Sequence, residues 1–414
     1  MVGEWKNCLL GEVVEYANGS SFPNEFQGKK NGKYDFYKVS DMNNPKNSVF
    51  MIEAENTVDD EAVTELKAKI HPKDTVIFPK VGAALLTNKR RILSKPSLFD
   101  NNIMGLKAKK SILPKYLYYF MYTIDFGKFV QSGAVPSINK TIVDNLSIKL
   151  PPLFEQRKIA AILSSVDEAI EKTEAIIEQT EKVKKGLMQQ LFTKGIGHTK
   201  FKKTEIGEIP EEWEVKQLAE VCVVNPTYRI EKGTICSYVE MGAVNENSPH
   251  ISYFGKREAG QGGGSRFKEN DVLFARITPC TENGKTALVP KLESEVGLGS
   301  TEFIVLSPLK QILDPKFLYY FVKSDRVRNY AISRMTGTTG RQRVPKEVFE
   351  QELMIALPPI DEQKKIGEIL YNYDKKIDHE KKRKNQLQTI KKALMQVLLT
   401  GKVRVKVDNE VMSQ

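Results

Sequence analysis

Three short stretches carry residue types that could do chemistry. Asn225-Pro226-Thr227-Tyr228 approaches the Asn/Asp-Pro-Pro-Tyr/Phe loop of amine methyl transfer, but the second proline is missing and no glycine-rich cofactor turn precedes it, so it reads as an Asn-Pro turn after a strand. Gly284-Lys285-Thr286 resembles the end of a phosphate-binding loop, yet the first glycine of that motif would fall at Pro279, which leaves no cradle for ATP. Glu65-Leu66-Lys67 could supply half of a nuclease carboxylate pair, although such triplets arise freely on helices. The cysteines Cys8, Cys222, Cys236 and Cys280 form no CxxC pair, and only 4 histidines accompany them, so reduced structural thiols and no metal site are expected. None of these stretches supports a reaction, and the chain is expected not to be an enzyme.

Binding chemistry is better represented. The formal charge is +11 and the pI is near 9.1, with Lys and Arg spread along the whole chain, which favours a polyanion as partner. In the first half the densest basic group is Lys80, Lys89, Arg90 and Arg91, flanking Gly82 and the polar pair Thr87-Asn88. A hairpin with Arg and Asn at its tip suits a DNA groove, where Arg reads guanine and Asn reads adenine; the alternative is a solvated basic turn that touches phosphate or nothing. Two glycine-bearing stretches at matching places form a second candidate: Gln131 to Lys140, with Ser137, Asn139 and Lys140, and Thr336 to Arg343, with Arg341, Gln342 and Arg343. Glycine lets the backbone approach a sugar-phosphate chain, and the Arg and Gln side chains add charge and amide donors.

The elements that must position these residues follow from an internal repeat. The segment from Leu150, LPPLFEQRKIAAIL and onward, aligns without a gap on LPPIDEQKKIGEIL from Leu357, an offset of 207. Glu4-Trp5 matches Glu212-Trp213, and Ile112 to Phe120 reappears as Ile312 to Phe321 with Asp314 inserted. Between these borders, residues 20–105 and 225–305 resemble each other only at Val76-Ile77-Phe78 against Val272-Leu273-Phe274.

Each repeated segment predicts a long helix that starts after Pro151-Pro152 or its copy and stops at Gly195 or Gly401. Its seam, Ile159, Leu163, Val166, Ile170, Thr173, Ile177, Thr180, Lys184, Leu187 and Leu191, has heptad spacing, so the helix must lie on a partner. The nearest partner is its own copy, antiparallel, with Leu187 and Leu191 near Ile366 and Leu370; Glu380 and Lys384 weaken the second seam. The expected fold is therefore α+β: two similar mixed α/β domains, each followed by a long helix, with the helices paired as an antiparallel coiled coil of pseudo-two-fold symmetry. The boundaries are 1–149, first domain; 150–196, central helix; 197–356, linker and second domain; 357–402, C-terminal helix; and 403–414, tail. The chain has no apolar run long enough for a membrane span and no signal-like N-terminus, so no membrane contact and a cytoplasmic location are expected.

The LPP openings, the GLMQQLF and ALMQVLL helix ends, the IGEIPEEWEV stretch at Ile206 to Val215 and FARITPCTENGK at Phe274 to Lys285 resemble type I restriction-modification specificity subunits, and the likeness spans the chain. The resemblance implies two target recognition domains, each reading one half of a split, asymmetric double-stranded DNA site. It also implies helices that set the spacer and dock two methyltransferase subunits, with restriction/translocase subunits joining the full complex. S-adenosylmethionine, ATP and Mg would then sit on those partners, with no cofactor on this chain. Among the second domain's residues the resemblance adds Arg276, Thr278, Asn283 and Lys285 as DNA contacts. The first frame starts abruptly at Glu4-Trp5, which a cyclic arrangement would accommodate by letting the end of the chain complete its start. A competing reading is a coiled-coil adaptor between proteins whose basic charge is incidental.

Overall fold

The computed structural model describes residues 4–130 and 135–405. Gln131 to Ala134 of the first glycine-bearing stretch, and the tail from residue 406, lie outside the described residues. The chain divides into two compact units, residues 1–172 with 385–414, and residues 173–384. Each unit contains one mixed α/β domain and one stretch of each long helix.

In the first unit, the strand Val76–Pro79, a wholly apolar run, is buried along its length and sits in the middle of a five-stranded sheet. The order is Val14–Asn18, Ile103–Ala108, Val76–Pro79, Arg91–Leu93 and Phe50–Met51; the first four strands are antiparallel neighbours and the last is parallel. The second unit repeats the antiparallel four as Cys222–Val224, Phe303–Pro308, Val272–Ala275 and Thr286–Leu288. A second small sheet in each unit contains one parallel pair, Tyr34–Tyr37 with Leu98–Phe99, and Ile235–Val239 with Gly297–Gly299. The stretches that look unrelated in sequence thus share a topology, because apolar strands of different sequence can fill the same sheet position.

Both frames close in the same way. Lys6–Leu9 pairs antiparallel with Ser147–Leu150, the strand leading into the first LPP; Glu214–Gln217 pairs likewise with Met354–Leu357 before the second. The helix Pro114–Tyr122 (α1) and its counterpart Pro315–Lys323 (α3) both have proline in the first turn and bury six consecutive side chains. The long helices are Leu153–Lys194 (α2), 42 residues, and Ile360–Leu398 (α4), 39 residues, or roughly 60 Å each at about 1.5 Å per residue.

Within the first unit, Ile159 and Leu163 of α2 share a core with Leu398 and Leu399 from the end of α4. Within the second, Leu191 is buried with Ile366 and Leu370, and Leu187 packs half-buried against them. Ion pairs show the antiparallel sense there: Glu174 to Lys384 at 2.9 Å, Glu181 to Lys381 at 2.8 Å and Lys184 to Asp374 at 2.5 Å. The weak centre of the second seam is polar. Glu380 points inward with its side chain 12% exposed, while Lys384 turns across to Glu174.

Two glutamates, Glu155 buried and Glu362 partly buried, join helix to frame. Glu155 near the start of α2 accepts a hydrogen bond from Trp5 Nε1 at 3.1 Å and pairs with Arg404, which follows α4. The segment just after α4 therefore contacts the start of the first frame. In the second unit Glu362, near the start of α4, accepts from Trp213 Nε1 at 3.1 Å and lies 3.0 Å from His198 Nε2. The tight exit needs glycine: Gly195 has φ +62°, and a Cβ there would come within 2.5 Å of Glu362 Oε1.

The next residue of each repeat is a buried glutamine. Gln156 Oε1 accepts from the Leu113 N–H at 2.8 Å, and its Nε2 donates to Ser111 O at 2.9 Å and Pro151 O at 2.8 Å. Gln363 makes the same three bonds to Asp314 N–H, Ile312 O and Pro358 O, each at 2.9 Å. An amide with one acceptor and two donors is matched to this set of backbone groups. It ties the start of each domain helix to the start of each long helix.

Candidate nucleic-acid interface

Strand Val76–Pro79 runs on into Lys80, whose N–H donates to Asn102 O at 2.8 Å. There a second chain segment arrives: Val81 bridges Ser137 antiparallel, the Ile138 N–H donates to Lys80 O at 2.8 Å, and the Gly82 N–H donates to Pro136 O at 2.7 Å. The second unit builds the same ladder after Val272–Ala275. The Arg276 N–H donates to Glu302 O at 3.0 Å, Ile277 bridges Arg343, the Val344 N–H donates to Arg276 O at 2.8 Å, and the Thr278 N–H donates to Gln342 O at 3.0 Å. Two candidate clusters that are far apart in sequence therefore share one edge in each unit. Lys80 stands where Arg276 does, and Ser137 where Arg343 does.

Ser137, Asn139 and Lys140 are exposed on this edge. The Asn139 side chain caps the short helix Lys140–Asp144 by accepting from the Ile142 N–H at 3.0 Å. Lys140 Nζ lies 5.1 Å from the centre of the Tyr16 ring. In the second unit Arg341 and Asn283 are exposed, and Thr278 donates its hydroxyl proton to Glu282 Oε1 at 2.8 Å. Arg343 is half-exposed but already engaged: its Nε and terminal nitrogen reach Glu302 at 3.0 and 2.7 Å, a forked ion pair that shares its charge with an acid. Lys285 Nζ donates to Met241 O at 3.0 Å. Arg276 Nε is buried without a hydrogen-bond partner among the described residues.

The basic group between the strands Val76–Pro79 and Arg91–Leu93 is not a charged tip. Lys89 is half-buried and donates to Asn43, whereas Arg90 is 0% and Arg91 9% exposed. The Arg90 guanidinium lies 5.4 and 4.5 Å from the centres of the Phe78 and Phe126 rings and donates to Lys89 O and Ile124 O. With no carboxylate paired to it among the described residues, burial pushes its pKa down. Arg91 donates to Met42 O at 2.9 Å and to Arg90 O at 2.7 Å. Neither guanidinium reaches the surface, because the chain turns inward to enter the sheet at Arg91. These two residues are removed from the candidate contacts.

The Asn225-Pro226-Thr227-Tyr228 stretch is held by structural bonds. Asn225 adopts φ +49° and exchanges two hydrogen bonds with the backbone of Val305, while the Tyr228 hydroxyl donates to Asp271. All four cysteines are free. Among the described residues no group of three or more His, Cys, Asp or Glu is placed to hold a metal, and no helix is long and apolar enough to cross a membrane.

Residues 3–182 and 210–389 each match the family model described as the type I restriction modification DNA specificity domain. The chain is 32% identical over 328 residues to the type I restriction enzyme MjaVIII specificity subunit of Methanocaldococcus jannaschii, covering 76% of each protein. It is 32% identical over 324 residues to the putative MjaX specificity subunit of the same organism, covering 75% of this chain and 73% of that one. The crystal structure of the type I system S subunit from M. genitalium aligns over 96% of both chains with a TM-score of 0.59 at 15% identity, a likeness of fold. Two matched repeats, each with a long helix, place this chain in the family of type I restriction-modification specificity subunits, which are non-catalytic.

Proposed function

We propose that this chain reads a bipartite, asymmetric double-stranded DNA site, each recognition domain taking one half through the edge formed by Lys80 and Ser137 to Lys140, or by Arg276 to Lys285 and Arg341 to Arg343. The observation that carries this reading is the repeated ladder, which brings Pro136 to Ile138 beside Lys80 in one unit and Gln342 to Val344 beside Arg276 in the other. Exposed Lys and Arg supply phosphate contacts, and exposed Asn and Ser with half-exposed Gln342 supply base-edge donors and acceptors. The asymmetry follows from different side chains on equivalent positions. The long helices set the spacer between half-sites and dock two methyltransferase subunits, which carry S-adenosylmethionine; restriction subunits with ATP and Mg complete the assembly in the cytoplasm. Co-expression with its methyltransferase partner followed by sequencing of modified adenines tests this directly. One split motif with a fixed gap is the expected result, and a continuous motif or no modification overturns it.

A further inference from the structure

Away from the recognition edge, each unit holds a three-residue polar cluster, its tyrosine and aspartate buried and its lysine partly so, that DNA reading does not use. In the first unit Asp167, on α2, accepts a hydrogen bond from the Tyr119 hydroxyl of α1 at 2.7 Å, and its other oxygen lies 2.6 Å from Lys391 Nζ of α4. In the second unit Asp374, on α4, accepts from the Tyr320 hydroxyl of α3 at 2.5 Å and lies 2.5 Å from Lys184 Nζ of α2. The two aspartates are 10% and 1% exposed, and their lysines 20% and 16%. Each ammonium also faces the ring of its tyrosine, with 5.7 Å from Lys391 to Tyr119 and 5.3 Å from Lys184 to Tyr320. One carboxylate therefore holds three helices at once: the recognition domain's own helix and both members of the helix pair.

The roles exchange between repeats. The aspartate belongs to the long helix that follows the domain in sequence, and the lysine comes from the opposite long helix. All three residues persist in both halves although the seams around them differ, Ile177 matching Lys384 and Thr173 matching Glu380 in position along the heptads. A buried ion pair is a poor source of net stability, since desolvation offsets much of the Coulomb attraction; its well-attested use is to exclude other registers, because a slip leaves both charges buried and unpaired. A turn of the domain about the long helix would in the same way withdraw the tyrosine hydroxyl from the carboxylate.

We propose that the two Tyr–Asp–Lys clusters are register locks: each fixes how a recognition domain is seated on its stretch of the helix pair, and so narrows the spacer length the chain accepts. The proposal rests on the bipartite reading above. Its test uses the full chain in complex with its methyltransferase partner, on duplexes carrying the mapped site and copies whose spacer is one base pair longer or shorter. One variant replaces the pairs by apolar side chains of similar size, Asp167→Leu with Lys391→Met and Asp374→Leu with Lys184→Met; a second carries Tyr119→Phe with Tyr320→Phe. The expected result is a thermal midpoint close to or above that of the unaltered chain, with the preference for the correct spacer falling about tenfold in the first variant and in the same direction in the second. Unchanged spacer discrimination in a folded variant overturns the locks. Should the apolar set fail to fold, the tyrosine pair, which deletes only two hydroxyls, decides the matter by the same criterion. An unaltered chain with no spacer preference would instead defeat the bipartite reading itself.

Discussion

Replacing Gln156 by Leu removes the acceptor of the Leu113 N–H and the donors to Ser111 O and Pro151 O, all in a site where Gln156 is 0% exposed. A buried backbone group left without a partner costs about 1–3 kcal/mol. At about 1.5 kcal/mol for each of three groups, less about 1 kcal/mol recovered by the apolar side chain, the net loss is about 3–4 kcal/mol. In a unit of roughly two hundred residues, where 1 kcal/mol moves the midpoint by about 2–4 °C, the first unit should melt roughly 10 °C lower. Gln156→Glu is worse at neutral pH, since a buried carboxylate would face two carbonyl oxygens. Those oxygens and the burial would raise its folded pKa above the unfolded value, so its stability should return as the pH falls through the folded pKa and the acid regains a proton to donate. Differential scanning calorimetry of the full chain at several pH values measures both effects. A midpoint for Gln156→Leu within about 2 °C of the unaltered chain, or a Gln156→Glu deficit that ignores pH, would refute the claim that this amide is matched to its three partners.

Three further outcomes follow from the geometry. Arg341→Ala should reduce the slope of log affinity against log salt for DNA by about one contact's worth, near 0.9, while Arg343→Ala should do less because Glu302 already holds that guanidinium; equal effects in a salt titration would contradict this. Arg90→Ala should leave the salt slope unchanged and lower stability by about 3 kcal/mol through the void left between Phe78 and Phe126, as read by denaturant titration. Removing one heptad from each long helix takes away about 10 Å of rise, close to three base pairs, so the mapped spacer should shorten by about that much; the same spacer after deletion would end the ruler idea.

The frame was legible in the sequence because it occurs twice. The proline start, the glycine stop and the heptad seam all correspond to helices, and Leu187, Leu191, Ile366 and Leu370 meet as spacing and antiparallel pairing require. What the repeat could not reveal was the work of the recurring polar residues. Glu155, Gln156 and Asp167 were repeated letters until the fold brought Trp5, Leu113 and Tyr119 to them. Their recurrence at the same positions in both repeats was the available signal, since a polar side chain kept on a buried face needs a partner. Arg90 and Arg91 misled for the complementary reason. Composition treats a basic run as surface, whereas strand position decided the matter, because the chain there enters the sheet.

The sheet order bears on how such a chain can change its target. Both domains keep the same four antiparallel strands with hardly any shared residues, so the core constrains polarity and volume more than identity. The edge that carries Lys80 or Arg276 is built by backbone hydrogen bonds, from Ile138 to Lys80 in one unit and from Val344 to Arg276 in the other. A backbone ladder is indifferent to the side chains it carries. Ser137 and Arg343 can therefore occupy equivalent positions without altering the ladder that presents them. Seating on the helices, by contrast, depends on side-chain bonds from Gln156, Gln363, Asp167 and Asp374, each of which fails if the residue changes. The part that differs between the two repeats is thus held by the interaction that tolerates substitution, and these four residues, shared by both repeats, by interactions that do not.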